Sequence, residues 1–134
     1  MIALDTSVVV AAFASWHEGH RPAHAALARR PRLPTHVMAE SYSVLTRLPP
    51  PHRAPAEVVV SFLLARFPRA PLTLPGTSYP ALLRELVRSG VSGGAVYDGL
   101  IGATVRHAGA TLLTRDRRAA LVYDALGVRY ELVA

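Results

Sequence analysis

Four acidic residues stand in sequence surroundings that are unusual for surface charge. Asp5 and Asp116 each follow a short apolar run that predicts a strand, and Asp98 lies in the nearly apolar segment 95–108. Glu40 lies in an amphipathic segment with apolar neighbours. Without cysteine or a well-spaced histidine pair, such a set of carboxylates favours Mg²⁺ or Mn²⁺, which bind hard oxygen ligands. These ions polarise a phosphoryl oxygen and lower the pKa of bound water, so the set indicates phosphodiester hydrolysis.

Each acid also has an ordinary structural interpretation. Asp is a favoured helix N-cap, and that role alone would account for Asp5 and Asp116. Asp98 could pair with a distant arginine, because a carboxylate on a buried helix is costly unless a tertiary partner satisfies it. Glu40 could be a surface residue paired with His36, one helical turn earlier. Taken singly, the residues leave both interpretations open.

Arginines and hydroxyl residues surround the aspartates. The candidates for binding substrate phosphates are Arg115, Arg117 and Arg118, although a solvated helix start explains them equally well. Thr114 ends the apolar run before Asp116, where it could simply pack as a β-branched residue. Ser7 could stabilise the first turn of a helix.

Three histidines recur at intervals of three and four residues, namely His17, His20 and His24. This spacing can mark a metal-binding face of a helix, but Glu18 is the only acid in the same segment. We therefore expect an exposed or substrate-contacting helix here rather than a metal site.

The composition narrows the classes of chemistry and of partner. The chain has 134 residues, no cysteine and a formal net charge of +6, and all fifteen basic residues are arginine. The absence of cysteine excludes disulfides, thiolate zinc sites and cysteine nucleophiles, and the absence of lysine excludes Walker P-loops and Schiff-base chemistry. The positive charge favours a polyanionic partner. Coding bias would explain the arginine-rich composition equally well.

Alternating strands and helices must position these residues. Strands are predicted for residues 1–4, 71–74, 111–114 and 128–133, and helices for residues 8–14, 22–30, 35–48, 56–66, 79–89, 95–108 and 117–126. In the helix 79–89, the side chains expected to face inward are Leu82, Leu83, Leu86 and Val87. This order predicts βαβ units and a parallel sheet covered on both faces. Because ligands bind at the carboxyl ends of parallel strands, we expect Asp5 and Asp116 to be neighbours.

The length predicts one domain, residues 1–134, with a single core. No stretch approaches the roughly 20 apolar residues that span a bilayer. The N-terminus MIALDTSVVV has no basic leader and places Asp5 where a signal peptide needs apolar residues. We therefore expect a cytoplasmic protein without a membrane segment.

Three stretches together resemble a known family. LDTSVVV at the N-terminus, AESYSVLTRLP in the first third and YDGLIGATVRHAGATLLTRD near the end resemble a PIN domain, and more narrowly the VapC toxins of bacterial toxin–antitoxin pairs. The resemblance covers essentially the whole chain. It implies a three-layer α/β/α sandwich with a central, mostly parallel sheet. It also implies a Mg²⁺- or Mn²⁺-dependent endoribonuclease, a homodimer, and inhibition by a VapB-like antitoxin whose C-terminal segment lies across the site.

The resemblance also assigns roles to residues. The metal-binding acids of the family fall on Asp5, Glu40, Asp98 and Asp116. The polar positions that support them fall on Thr6, Ser7 and Thr114. Arg115 departs from the pattern, since relatives often carry a polar residue such as asparagine at that position.

Two other functions fit parts of the sequence. A non-catalytic PIN-like module that binds RNA or protein would use the acids for structure alone, although the presence of all four acids argues against it. A haloacid-dehalogenase-like phosphatase would need a second aspartate two residues after Asp5, and Ser7 occupies that position.

Overall fold

The computed structural model describes all residues from Met1 to Ala134. The elements in chain order are β1 (Ile2–Leu4), α1 (Thr6–Phe13), α2 (His20–Ala26), α3 (Thr35–Thr46), α4 (Ala56–Arg66), α5 (Tyr79–Arg88), α6 (Ala95–His107), β2 (Thr111–Thr114), α7 (Arg117–Ala125) and β3 (Tyr130–Leu132). Short 3₁₀ turns follow α2 and precede α5. None of the helices combines the length and the apolar content needed to cross a membrane.

The three strands form one parallel sheet in the order β1-β2-β3. Leu4 lies beside Leu113, and Thr114 lies beside Leu132. The backbone N–H of Asp5 extends the first pairing by donating to the carbonyl of Leu113 at 3.1 Å. The predicted parallel sheet is therefore confirmed, and β1 and β2 end side by side.

One predicted strand is wrong. Residues 71–74 form only a single parallel bridge, in which Leu72 lies opposite Pro34. Its amide donates to the carbonyl of Leu33 at 2.8 Å, and its carbonyl accepts from the amide of Thr35 at 2.9 Å. Prolines at positions 34, 71 and 75 have no N–H, so the ladder cannot continue in either direction.

The predicted inward face of α5 is only half right. Leu82 and Leu86 are buried, whereas Leu83 is 57% exposed and Val87 is 80% exposed. Residues four positions apart share one helical stripe, and Leu83 and Val87 lie about 100° round the helix from it. Since α5 packs mainly against α6, only the first stripe is covered.

Two glycines allow α6 to pack closely against its neighbours. A Cβ at Gly102 would lie 3.1 Å from the ring of Tyr123 and 3.0 Å from Val128. A Cβ at Gly99 would lie 2.7 Å from Leu86 of α5. This close packing brings the ring of Tyr123, on α7, against the helix that carries Asp98.

Candidate functional site

A groove of about 840 Å³ lies where β1 and β2 end. Its lining residues are Thr6, Ser7, Val10, His17, Glu40, Val44, Asp98, Arg115, Asp116, Arg117 and Arg118. They come from the segments that follow the two strands and from α3 and α6, which the fold brings to the same edge of the sheet. Three of the four predicted acids therefore line one groove.

The fourth acid, Asp5, is only 3% exposed. Its Oδ1 accepts hydrogen bonds from the hydroxyl of Ser7 at 2.5 Å and from the amide of Val8 at 3.3 Å. Its Oδ2 accepts from the phenol of Tyr123 at 3.0 Å. Burial raises the pKa of Asp5, and the hydrogen bonds from Ser7 and Tyr123 partly oppose that rise. The bond to Val8 also makes Asp5 the N-cap of α1, as predicted.

Sequence reasoning missed Tyr123. Its side chain is fully buried on α7, and its hydroxyl makes a direct hydrogen bond to Asp5. A signal was present, because Ala119, Ala120 and Tyr123 form the buried stripe that follows Asp116. A buried tyrosine requires a hydrogen-bond partner for its hydroxyl, and the nearest predicted polar cluster was the acidic site.

Asp98 lies among other acids. Its pKa is raised to about 6, first by partial burial and then by the negative charges of Asp116, Glu40 and Asp5. It forms no ion pair; the ion pairs of the chain are Arg29–Glu131, His36–Glu40 and Arg106–Glu85. The salt bridge considered as its structural alternative is therefore absent.

Glu40 contacts both the groove and its own helix. The hydroxyl of Thr6 donates a short hydrogen bond to Oε1 of Glu40. Oε2 lies 3.4 Å from Nε2 of His36, which confirms the pairing expected from the sequence. The pairing does not remove Glu40 from the groove, because its side chain remains about one-third exposed there, at 34%.

Asp116 caps α7, as its alternative interpretation predicted. Oδ1 accepts from the amides of Arg118 at 2.9 Å and Ala119 at 3.1 Å. Thr114 is fully buried, and its Oγ1 accepts from the amide of Asp116 at 3.0 Å. Oδ2 of Asp116 makes no hydrogen bond within the protein. Capping therefore uses one carboxylate oxygen and leaves the other available to the groove.

The three arginines of the groove have no carboxylate partner. Arg117 and Arg118 are exposed at the start of α7. The guanidinium of Arg115 lies over Gly19, where any Cβ would overlap it, and its Nε donates to the carbonyl of Ala134 at 3.4 Å. The groove therefore combines arginines that have no carboxylate partner with two carboxylates, those of Asp98 and Asp116, that form no ion pair.

The three histidines do not form a common site. His17 lines the groove, and its pKa is lowered by burial and by the charge of Arg115. Nδ1 of His20 is hydrogen-bonded to the carbonyl of Ala11 at 2.9 Å, and His24 is exposed. The ring centroids of His20 and His24 lie 5.2 Å apart, but of the three histidines only His17 lines the groove.

Nowhere in the chain do three histidine, aspartate or glutamate side chains converge closely enough to hold one ion directly. The donor set of the groove nevertheless consists of carboxylate and hydroxyl oxygens. Mg²⁺ keeps several waters in protein sites and is bound through only one or two carboxylates. The residues present therefore fit such an ion, while their role as its ligands stays a prediction.

Comparison with known proteins identifies the family of the chain and then a narrower group within that family. The sequence profile of the PIN domain matches residues 2–125. Ribonuclease VapC40 of Mycobacterium tuberculosis is 51% identical over 133 residues, which is 99% of this chain and 99% of the relative. Ribonuclease VapC27 of the same organism is 38% identical over 134 residues, covering 99% of this chain and 97% of the relative. The chain therefore belongs to the PIN-domain family, and within it to the VapC proteins that its sequence resembles.

Solved structures support the fold at much lower sequence identity. FitAcB of Neisseria gonorrhoeae matches with a TM-score of 0.70 and 22% identity, over 97% of this chain and 96% of that chain. VapBC2 of Rickettsia felis, bound to a DNA fragment from its promoter, matches with a TM-score of 0.68 and 19% identity over both whole chains. The predicted α/β sandwich is thus confirmed.

Proposed function

We propose that this chain is an endoribonuclease toxin of a type II toxin–antitoxin pair, which hydrolyses RNA phosphodiesters with Mg²⁺ or Mn²⁺. The observation that carries the proposal is the groove itself, in which Glu40, Asp98 and Asp116 lie beside three unpaired arginines. Carboxylates that no arginine neutralises suit a metal ion, and arginines without carboxylate partners suit phosphates. The groove therefore offers carboxylates for a metal ion and arginines for the phosphates of a phosphodiester.

Asp5, Glu40, Asp98 and Asp116 are the residues that would hold the ion. When bound, it would polarise a phosphoryl oxygen and activate water for attack. Glu40, Asp98 and Asp116 line the groove, and Asp5 is buried at the end of β1 close enough for its charge to raise the pKa of Asp98.

The surrounding residues orient these acids. Ser7 and Tyr123 hold one oxygen each of the Asp5 carboxylate, which prevents its rotation. Thr6 fixes one oxygen of Glu40 in the same way. Outer hydrogen bonds of this kind tune metal affinity because they determine the direction in which a ligand oxygen points. Arg117 and Arg118 would bind the phosphates that flank the cleaved bond.

A cleavage assay tests the metal mechanism. The purified protein should cut structured or loop-bearing RNA in Mg²⁺ or Mn²⁺ and should be silent in excess EDTA. Asp98→Asn serves as the matched control, since it keeps the side-chain shape and removes the charge. Equal cleavage in EDTA would contradict the metal mechanism. No cleavage under any condition would favour the non-catalytic binding module instead.

We also propose a VapB-like antitoxin as the protein partner. The support is family membership together with electrostatics, because an arginine side chain is a good counter-ion for the unpaired acids around Asp98. Co-expression with the small protein encoded beside this chain should give a stable complex without toxicity. If no adjacent product co-purifies or suppresses toxicity, the toxin assignment fails. The homodimer implied by the resemblance is tested by the molar mass of the free protein in solution.

A further inference from the structure

A second cavity, of about 310 Å³, lies next to the groove. Its lining residues are His36, Ala39, Glu40, Ser43, Arg47 and Tyr97. Glu40 lines both cavities, and the consecutive residues Tyr97 and Asp98 line one cavity each. The second cavity therefore adjoins the acidic groove. We call it the side pocket.

Tyr97 gives the side pocket an accessible aromatic surface. Its side chain is 53% exposed, although it lies on the helix that carries Asp98. The ring stacks on that of His36, with centroids 5.1 Å apart and planes within 4° of parallel. Because His36 covers one face, the exposure of Tyr97 must come from its other face and its edge. An aromatic ring held in this way is a platform on which a nucleobase can stack.

Arg47 gives the same pocket a cation. Its guanidinium donates to the hydroxyl of Ser43 at 2.7 Å and forms no ion pair with a carboxylate. Arg47 follows Glu40 by seven residues on α3 and its C-terminal end, which places it about 10 Å further along the helix axis. The two adjoining cavities therefore each contain arginines without a carboxylate partner, Arg117 and Arg118 in the groove and Arg47 in the side pocket.

We propose that the side pocket binds the nucleotide adjacent to the cleaved phosphate, with its base stacked on Tyr97 and its phosphate bound by Arg47. The proposal rests on the proposed ribonuclease function, which sets the position of the cleaved bond. A single RNA strand that extends from the groove into the side pocket would then contact the groove arginines and Arg47. RNA fits better than a peptide because the pocket combines a stacking face with a free guanidinium in a chain of net charge +6.

The test uses short single-stranded RNAs that carry 2-aminopurine at one position, bound to the full-length protein in EDTA so that no metal-dependent cleavage occurs. Stacking on Tyr97 should quench 2-aminopurine fluorescence at one position of the strand. Tyr97→Ala should abolish that quenching and weaken RNA binding about 5- to 100-fold, the usual range for loss of one stacked base. Tyr97→Phe should keep both.

Matched variants separate the pocket from general effects. Tyr79→Ala removes another exposed tyrosine, one that lines neither cavity, and should change nothing. Arg47→Gln should reduce the salt dependence of binding by about one unit of slope, whereas Arg84→Gln on α5 should not. Circular dichroism of Tyr97→Ala should show an intact fold, since alanine is a good helix former at an exposed position.

Unchanged affinity and quenching in Tyr97→Ala would overturn the proposal. It would also be overturned if that variant kept RNA binding and lost only its co-purifying protein partner, because the pocket would then belong to a protein interface. Cleavage of RNA by the wild type in Mn²⁺ is measured separately and tests the ribonuclease function alone. Quenching without cleavage would reject the ribonuclease function and support RNA binding in the side pocket. Cleavage together with no effect of Tyr97→Ala would support the ribonuclease function and reject RNA binding in the side pocket.

Discussion

The charged residue at one end of α6 is neutralised by an ion pair, and the charged residue at the other end is not. Asp98 lies in its first turn and Arg106 in its last, which are the ends that the helix dipole favours for an acid and for a base. Arg106 is neutralised by Glu85 at 2.7 Å and also donates a short hydrogen bond to the carbonyl of Leu126. Asp98 has no cation, and the charged groups that act on it are Asp116, Glu40 and Asp5.

This difference distinguishes a charge that the protein neutralises itself from one that it leaves without a counter-ion. At the Arg106 end the protein supplies the counter-charge itself, so the helix end is complete without a ligand. At the Asp98 end, the arginines that line the groove form no ion pair with Asp98 or Asp116. Like charges brought together raise the free energy of the folded state, and a metal ion would offset that cost.

Replacing one carboxylate by an amide at each end of α6 should give the largest difference in ribonuclease activity. Asp98→Asn should lower ribonuclease activity by at least about 100-fold, because it removes a charge from the reacting site. Glu85→Gln should leave activity unchanged and cost about 1 kcal/mol or less of stability, as partly exposed ion pairs usually do. Initial rates in Mn²⁺ and thermal melts of both variants make the comparison. Similar activity losses in the two would remove the distinction.

The hydrogen bond from Tyr123 to Asp5 should have the next largest effect. Tyr123→Phe keeps the ring that packs against Gly102 and removes only the donor to Asp5. We expect Mn²⁺ affinity to fall about 10- to 100-fold, the range for groups that orient a metal ligand. Tyr130→Phe is the matched control, since it removes a tyrosine–aspartate hydrogen bond, to Asp124, away from the groove. Mn²⁺ titrations that show equal affinities for both variants would exclude a positioning role for Tyr123.

Much of the groove could be predicted because the sequence signals for it are local. A short apolar run followed by Asp and a helix predicted both Asp5 and Asp116, and parallel pairing of β1 and β2 then placed the two strand ends together. The same residues cap their helices, so the structural and functional interpretations were compatible. The ligand role of the four acids remains a prediction, carried by the family resemblance.

Features that depend on tertiary packing were wrong or missed. Leu83 and Val87 fitted an apolar pattern, but whether a neighbour covers that side of α5 is not encoded in the helix itself. Tyr97 gave no signal in the sequence, because its stacking on His36 joins two helices that are far apart along the chain. Tyr123 lies on a buried stripe of α7, but its hydrogen-bond partner, Asp5, is 118 residues away in the sequence, so the stripe alone did not identify that partner.

The groove arginines should matter for binding more than for stability. Replacing Arg117 and Arg118 together with Ala should flatten the salt dependence of RNA affinity by about one unit of slope for each phosphate that is no longer neutralised. The double variant Arg84→Ala, Arg88→Ala on α5 is the control for net charge. RNA affinity measured across a series of salt concentrations gives both slopes. An unchanged slope in the groove variant would assign its arginines to the solvated helix start.

The smallest expected effect is on the stability of the metal-free protein. The pKa of Asp98 in the fold is about 6, above the ordinary 3.8, so the folded protein binds this proton more tightly than the unfolded chain does. That stabilisation is complete below about pH 4 and is lost as the pH rises through about 6. Asn carries no charge at any pH. In EDTA, Asp98→Asn should therefore melt close to the wild type at about pH 4 and a few degrees above it at pH 7.5, with roughly half of that difference already present at about pH 5.

Adding Mn²⁺ at pH 7.5 should reverse that order, because the ion binds the folded wild type and raises its melting temperature by mass action. The variant has lost a ligand and should respond weakly. If the fold instead required the Asp98 carboxylate, Asn would lower the melting temperature with or without metal. A large, metal-independent loss of stability in Asp98→Asn would therefore show that Asp98 has a structural role, as Glu85 and Arg106 do.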